Sequence, residues 1–427
     1  MRIESARSNF VREPLLAPFG FKGGYLSELW QSIAKLSTRE HTGIGLGVQS
    51  VLWSDAEVFT STSQAGGNAY MFAMSDYALR LAEGMEFSDP FTLLQALYPK
   101  VYEYGKQITG NPRLRKTFAL NSLVCVDNAA WQLYAKERGQ SDFLQLVPET
   151  HRPALMGRQK ELCSIPLVTY GMTVEDVKKL VNDGYFFLKV KIGSDPDKDG
   201  CREKMLEWDK NRLREIHEAV KDMTTPYTES GHIPYYLDAN GRYDSKERLA
   251  ELLKYAEQIG ALDRIAILEE PFPEEYKVDV SDLPVRIAAD ESAHSYEDAI
   301  ERIELGYKAI ALKPIAKTMS MSILILAEAH KRGIPCFCAD LTVNPWMVDF
   351  NKNIASRIDP LPGMKIGVLE SNGSQNYTDW QKMRTYHPMF GKASFIDPVR
   401  GIYRLDDCFY ETSGGIFMDS EYYSSHV

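Results

Sequence analysis

The stretch Gly184–Asp195, GYFFLKVKIGSD, sets Lys189 and Lys191 two residues apart inside a run of phenylalanine, leucine, valine and isoleucine. Side chains alternate along a strand, so both ammonium groups share one face. A parallel strand covered on both sides normally reads as an unbroken apolar run. Two charges on one face of such a run therefore call for partners, because an unpaired buried charge is costly.

The same build recurs along the chain between about residues 165 and 370. Eight apolar runs, IPLVTYG, YFFLKVKIG, IPYYLDANG, RIAILEEPF, VRIAADES, YKAIALKP, IPCFCADLT and MKIGVLESN, alternate with helix-period segments such as DSKERLAELLKYAEQIG and SMSILILAEAHKRG. Strand–helix alternation implies parallel strands joined by crossovers. Eight units in about 200 residues fit a (β/α)8 barrel of the TIM type, and this is the fold expected for residues 161–370. A doubly wound sheet is the alternative, but no dinucleotide fingerprint opens any unit. Residues 1–160 read differently. ELWQSIAKLS and HTGIGLGVQSVLW have the character of antiparallel strands, while SDYALRLAEGM, FTLLQALYPKVYEYGKQI and TFALNSLVCVDNAAWQLYAKERG carry helical apolar spacing. An N-terminal α+β capping domain beside the barrel is expected. The segment 371–427, rich in Tyr, Gly and Asp, is expected to pack back on that domain.

Composition excludes several function classes. The net charge of −10 is spread along the chain, which gives nucleic-acid binding no support. No apolar run reaches the roughly 18 residues of a membrane span. MRIESARSNF lacks the layout of a signal peptide, and six scattered cysteines show no zinc spacing, so a cytoplasmic setting is expected. GIGLG, Gly43–Gly47, is read as a hairpin strand and not as a phosphate loop, because it is not G-x-G-x-x-G and no helix is expected to follow it. DPDKDG opens like a calcium loop, but Leu206 stands where the bidentate glutamate would be needed.

The polar residues that remain sit at strand ends. Asp238 and Asn240 share a face in YYLDANG, Glu269 closes IAILE, Asp290 closes RIAAD, and Lys313 closes AIALK. The intervals are 269 − 238 = 31, 290 − 269 = 21 and 313 − 290 = 23 residues, each about one strand–helix unit. Barrel active sites are assembled from several such C-terminal strand ends. Three carboxylates arriving side by side suit Mg2+, or alternatively Mn2+, and no histidine stands at these strand ends to favour zinc. Lysines flank the acids on both sides. That layout can remove a proton next to a carboxylate, the metal neutralising the ene-diolate while a lysine of lowered pKa takes the proton. The lysines are expected to look into the open mouth of the barrel.

LKVKIG, LDANG, LEEPFP, AADES and ALKP, in this order, resemble the enolase superfamily. Lysine on the second strand with Lys313 on the sixth resembles its muconate-lactonizing (muconate cycloisomerase) subgroup, one of the mandelate racemase/muconate lactonizing enzyme-like groups. The resemblance implies Asp238, Glu269 and Asp290 as metal ligands, Lys191 and Lys313 as the two acid/base lysines, and Lys189 as a fixed positive charge near the substrate carboxylate. Asn240, Glu270 and Glu291 match motif positions behind the ligands. Glu370, Asn372 and Asp340 are candidates for substrate binding.

Two departures from the subgroup stand out. Between Lys191 and Asp238 lie 46 residues, including the charged segment DPDKDGCREKMLEWDKNRLREIHEAVKD. Glu370-Ser371-Asn372 stands where dipeptide epimerases carry Asp-x-Asp.

The expectation is a Mg2+-dependent racemase, epimerase or cycloisomerase acting on a small-molecule carboxylate, with no nucleic-acid or membrane partner, assembled as a homo-oligomer. A dehydratase of the same superfamily, a Schiff-base aldolase and an inactive metal-binding scaffold are the rivals. Phe19–Gly24 and Ser50–Thr60 are expected to select the substrate. His41 is a candidate for touching it, and His294 is read as a surface or packing residue.

Overall fold

The computed structural model describes residues 1–21 and 24–427, with the side chains of 19–24 outside that description. The expectation for Phe19–Gly24 thus falls on side chains outside the described residues. The chain opens with an antiparallel sheet of three strands, β1 (Ser5–Phe21), β2 (Gly24–Ser37) and β3 (Thr42–Gln49), in the order β1-β2-β3. Helices Gln64–Ala82, Pro90–Thr109 and Lys116–Glu137 complete this unit. The sequence reading did not identify β1, and it extended β3 through Val51–Trp53, which instead belong to the helical turn Val51–Ser54.

The glycines of β3 have a packing purpose. Gly43, Gly45 and Gly47 fall on one face of the strand, against the helix Lys116–Glu137. A Cβ on Gly45 would stand 2.0 Å from the Cys125 carbonyl oxygen, and one on Gly43 would stand 2.2 Å from that of Ala129. The close approach lets polar residues of the helix serve the open edge of β3. Asn121 and Asn128 donate to the carbonyls of Val48 and Leu46 (2.8 and 2.9 Å), and Gln132 accepts from the Ile44 amide (2.6 Å). An edge strand thereby finds partners for its backbone groups and is closed to further pairing.

Ten strands form the second sheet: β4 (Glu161–Ile165), β5 (Leu167–Val168), β6 (Leu188–Lys191), β7 (Tyr235–Asp238), β8 (Ile265–Glu269), β9 (Ile287–Ala289), β10 (Ala309–Leu312), β11 (Cys336–Cys338), β12 (Gly367–Glu370) and β13 (Ile402–Arg404). From β5 to β12 all neighbours run parallel in chain order. The ring closes because β4, which pairs with β12, continues through Pro166 into β5, which pairs with β6. Proline lacks the amide needed to continue one ladder and so marks the handover. The architecture is a (β/α)8 barrel with an N-terminal α+β cap. The eight sequence runs correspond to its eight parallel strands, and β13 adds an antiparallel strand against β4.

The segment after Ser371 meets both units. Met418 O accepts from Gln132 of the cap (2.7 Å), while His387 pairs with Asp349 of a barrel helix (2.6 Å). Cap and barrel also meet directly. Asp127, on the cap helix, accepts from the amide and hydroxyl of Ser320 (3.1 and 2.6 Å).

Two outcomes test this packing. Gly45→Val should lower the melting temperature sharply, costing on the order of 3 kcal/mol through overpacking, whereas Gly171→Ala, with open space around it, should not. Burial raises the Asp127 carboxyl from 3.8 to about 7. Because the folded chain holds that proton more tightly, the associated stability is complete below pH 4 and is lost as pH rises through 7. Relative to Asp127→Asn, the wild type should lose about 1.4 kcal/mol per pH unit across this window in urea unfolding, and a flat difference would contradict the assignment.

Candidate active site

The C-terminal ends of β6 to β12 converge on one buried cluster of charge. Register aligns Lys191 with Asp238 and Asp238 with Glu269. Asp290 and Lys313 directly follow β9 and β10. Lys189 Nζ lies 3.0 Å from Asp238 Oδ2, 3.1 Å from Glu269 Oε1 and 3.0 Å from Glu370 Oε2. Lys191 Nζ donates to Asp238 Oδ2 and Asn240 Oδ1, both at 2.6 Å. Lys313 Nζ lies 2.5 Å from Asp290 Oδ2. The three acids have no exposed surface, and the three lysines are at most 8% exposed. The open mouth expected from sequence is therefore corrected: the cap covers it. Trp53, from the turn Val51–Ser54, donates from Nε1 to Asp290 Oδ2 at 3.4 Å and holds its ring 4.5 Å from Lys313 Nζ.

The residues expected behind the ligands are also in place. Asn240 donates to Glu291 Oε1 (3.0 Å), and Glu270 Oε2 accepts from the Asp290 amide (2.7 Å) and the Ser292 hydroxyl (3.0 Å). The candidates for substrate binding are turned inward. Asp340 accepts from the amides of Leu341 and Asn372 (2.8 Å each), and Glu370 accepts from the Asp340 amide (2.9 Å) and the Asn372 side chain (3.1 Å). These contacts join the loops after β11 and β12, yet all three residues still line the cleft. His41 closes the β2–β3 turn, its carbonyl accepting from the Thr38 amide at 2.9 Å, and it is not among the cleft-lining residues. His294 is buried against Glu274 (2.9 Å), a packing residue as read.

The cleft lies between the strand ends of the barrel and the cap. Lys189, Lys191, Asp238 and Lys313 line it from the barrel, with Leu167 and Leu341 beside them, and Leu26, Leu29, Ser50 and Trp53 line it from the cap. Trp53 and Ser50 lie in the segment Ser50–Thr60 expected to select the substrate, whereas sequence reasoning missed Leu26 and Leu29, whose approach depends on how the cap docks. It also missed Lys317, fully buried, which donates to the Asp290 carbonyl at 2.5 Å and lies 3.3 Å from Asp290 Oδ1. The spacing Lys313 to Lys317, one helical turn, was the available signal.

Electrostatics in the cluster run opposite to one expectation. Burial works against the charge on Lys189, but Asp238, Glu269 and Glu370 hold its pKa well above the ordinary lysine value. Burial opposes the charge on Lys313 too, and Asp290 still raises its pKa. For Lys189 and Lys313, in the protein by itself, the acids thus outweigh both burial and repulsion between lysines. Burial raises Glu269 to about 7, whereas Asp238, also buried, is held low by Lys189 and Lys191.

The acids suit a hard cation. Among the described residues, carboxylate oxygens of Glu269, Asp290 and Glu291 lie within 4.8 Å of one another, all buried, and Asp238 adjoins Glu269 by register. A set made only of carboxylate oxygens fits Mg2+ or Mn2+, not zinc. Asp238 stands outside the tightest grouping because Lys189 and Lys191 both draw on its Oδ2. Mn2+ titration followed by electron paramagnetic resonance should give one strong site per chain. Glu269→Gln should weaken it by about tenfold or more, as loss of a charged oxygen ligand predicts.

Fold and site together define a capped barrel with a carboxylate–lysine centre at the C-terminal ends of its strands. Residues 172–351 match the family described as "Enolase C-terminal domain-like", so this part of the chain is similar to the enolase superfamily. Over 228 residues it is 28% identical to o-succinylbenzoate synthase of Geobacillus kaustophilus, and over 226 residues 26% identical to that of Geobacillus stearothermophilus. It spans about half the length of these curated relatives, 50% of each, using 51% of its own. Solved structures agree on the fold. A dipeptide epimerase from Cytophaga hutchinsonii, complexed with Mg and D-Ala-L-Val, superposes with TM-score 0.63 at 18% identity, covering 94% of this chain and 93% of the other. An N-succinyl Arg/Lys racemase from Bacillus cereus gives 0.62 at 16% identity, covering 88% and 89%. No helix among the described residues is long and apolar enough to cross a membrane.

Proposed function

We propose that the chain removes and returns the proton α to the carboxylate of a small-molecule substrate, as a racemase, epimerase or cycloisomerase. One observation carries this reading. Lys191 and Lys313 stand on β6 and directly after β10, on opposite sides of the acids that end β7, β8 and β9, and each is buried against the nearest of them. A substrate carbon lying over Glu269 would then have a lysine on either face. Lysine is a suitable acid or base at such a position when its environment adjusts its proton affinity. Related proteins with "epimerase", "racemase" and "Mg" in their descriptions share the fold, which supports the class of reaction without naming a substrate.

In this reading Asp238, Glu269 and Asp290 would hold a divalent ion, with Glu270 and Glu291 orienting the loops behind them. When bound, such an ion supplies positive charge that offsets the acids and polarises the substrate carboxylate. Lys189, fixed by three carboxylates, holds a permanent positive charge beside that group. The lysine on one face accepts the α proton as a neutral amine, while its counterpart, still an ammonium, delivers a proton to the other face. Trp53, Leu26 and Leu29 keep water from the reacting carbon.

The test is deuterium incorporation at the α-carbon in D2O with Mg2+, across N-acyl amino acids, dipeptides and hydroxy acids. At least one carboxylate should exchange. Lys191→Ala and Lys313→Ala should each abolish exchange on a different face, a loss of about a hundredfold or more per lysine. Metal binding with no exchange in any carboxylate would refute the reaction and favour the scaffold alternative.

A further inference from the structure

The long connection between Lys191 and Asp238 sends the helix Arg202–Val220 along the barrel, beside the helices Val174–Asn182 and Lys246–Gln258. From the middle of that helix Asp209 enters the protein with no exposed surface. Its two oxygens accept from the Gly193 amide at 2.8 and 2.9 Å, and Oδ2 also accepts from the buried Tyr243 hydroxyl at 2.7 Å. Gly193 lies two residues after Lys191. Tyr243 lies three residues after Asn240 and five after Asp238. One carboxylate therefore ties the loop after β6 to the loop after β7.

Other contacts hold the same junction. The Ile192 amide donates to the Asp238 carbonyl (2.9 Å), the Tyr170 hydroxyl to the Ile192 carbonyl (3.1 Å), and Arg242 Nε to the Gly193 carbonyl (3.2 Å). Gly193 has φ +80°, and a Cβ on it would stand 2.6 Å from Arg242 Cβ, so the loop has little room to take another path. Lys191 Nζ sits at the front of this junction, between Asp238 and Asn240.

We infer that Asp209 is a positioning residue for Lys191, locking the two loops whose spacing sets the reach of that lysine. The inference rests on the reading of Lys191 as one of two proton-transfer lysines. A carboxylate is required because the group must accept from two donors with both oxygens. An amide offers one acceptor oxygen and, either way round, would set its NH2 against the Gly193 amide, which can only donate. Lys313, on the far side of the acids, pairs instead with Asp290. Asp209 should therefore act on one face of the substrate only.

Asp209→Asn and the milder Tyr243→Phe test this, with the faces assigned by Lys191→Ala. Exchange on the Lys191 face should fall by roughly tenfold or more through misplacement of the lysine, while exchange on the Lys313 face and KM stay within about twofold. Hydrogen–deuterium exchange mass spectrometry on the same proteins, without substrate, should show faster amide exchange in the peptides covering 188–197 and 239–243 alone. An equal fall on both faces, or no fall on either, would overturn the inference. If no carboxylate exchanges even in the wild type, the proposed reaction fails and the amide result decides whether the clamp exists: unchanged protection at Gly193 in Asp209→Asn refutes it.

Discussion

The ammonium of Lys189, enclosed by Asp238, Glu269 and Glu370 at 3.0, 3.1 and 3.0 Å, is the interaction around which the molecule is organised. A charge taken out of water is tolerated only where opposite charge meets it at short range. Here the partners come from the ends of three different strands, β7, β8 and β12. Their convergence requires a closed ring of parallel strands, and the ring in turn gives every one of those strand ends a common exit. The same requirement explains why removal of one partner should matter more than its share of the contacts, since it leaves the remaining charges buried and unmatched.

The cap follows from the same constraint. A cluster of acids and lysines at a barrel mouth would be well screened by water if left open. Trp53, laid over Lys313 and hydrogen-bonded to Asp290, excludes that water and strengthens every electrostatic interaction beneath it. The cap can lie so close because its own central helix, Lys116–Glu137, is buried along almost its whole length and is anchored to the barrel through Asp127 and Ser320. Gly43 and Gly45 permit that helix to lie on β3, so a glycine pattern far from the site contributes to the placement of Trp53.

The features readable from sequence were those with a local energetic signature. Charges within apolar strands are rare enough that Lys189, Lys191, Asp238, Glu269, Asp290 and Lys313 declared themselves, and their one-unit spacing disclosed the barrel. β1 left no such trace. Its 17 residues are mostly exposed or half-buried and carry several charges, so the strand is held by pairing with β2 and not by an apolar pattern of its own. Val51–Trp53 were read as strand because three apolar residues after a strand have no distinguishing period. Asp209 was illegible for a different reason, as were the contacts that Trp53 makes with Asp290 and Lys313. Their meaning depends on tertiary neighbours that sequence spacing does not reveal. The raised proton affinity of Lys189 and Lys313 likewise depends on how many acids surround each, which only the assembled strand ends determine.

The central claim is that the acids of β7, β8 and β9 form a single cation site with a lysine on each side. Anomalous diffraction from crystals soaked in Mn2+ tests it directly. The account predicts one strong peak bounded by oxygens of Asp238, Glu269 and Asp290, with the Lys191 and Lys313 ammonium groups on opposite sides of it. A peak held by other residues, or both lysines on the same side of the metal, would contradict it.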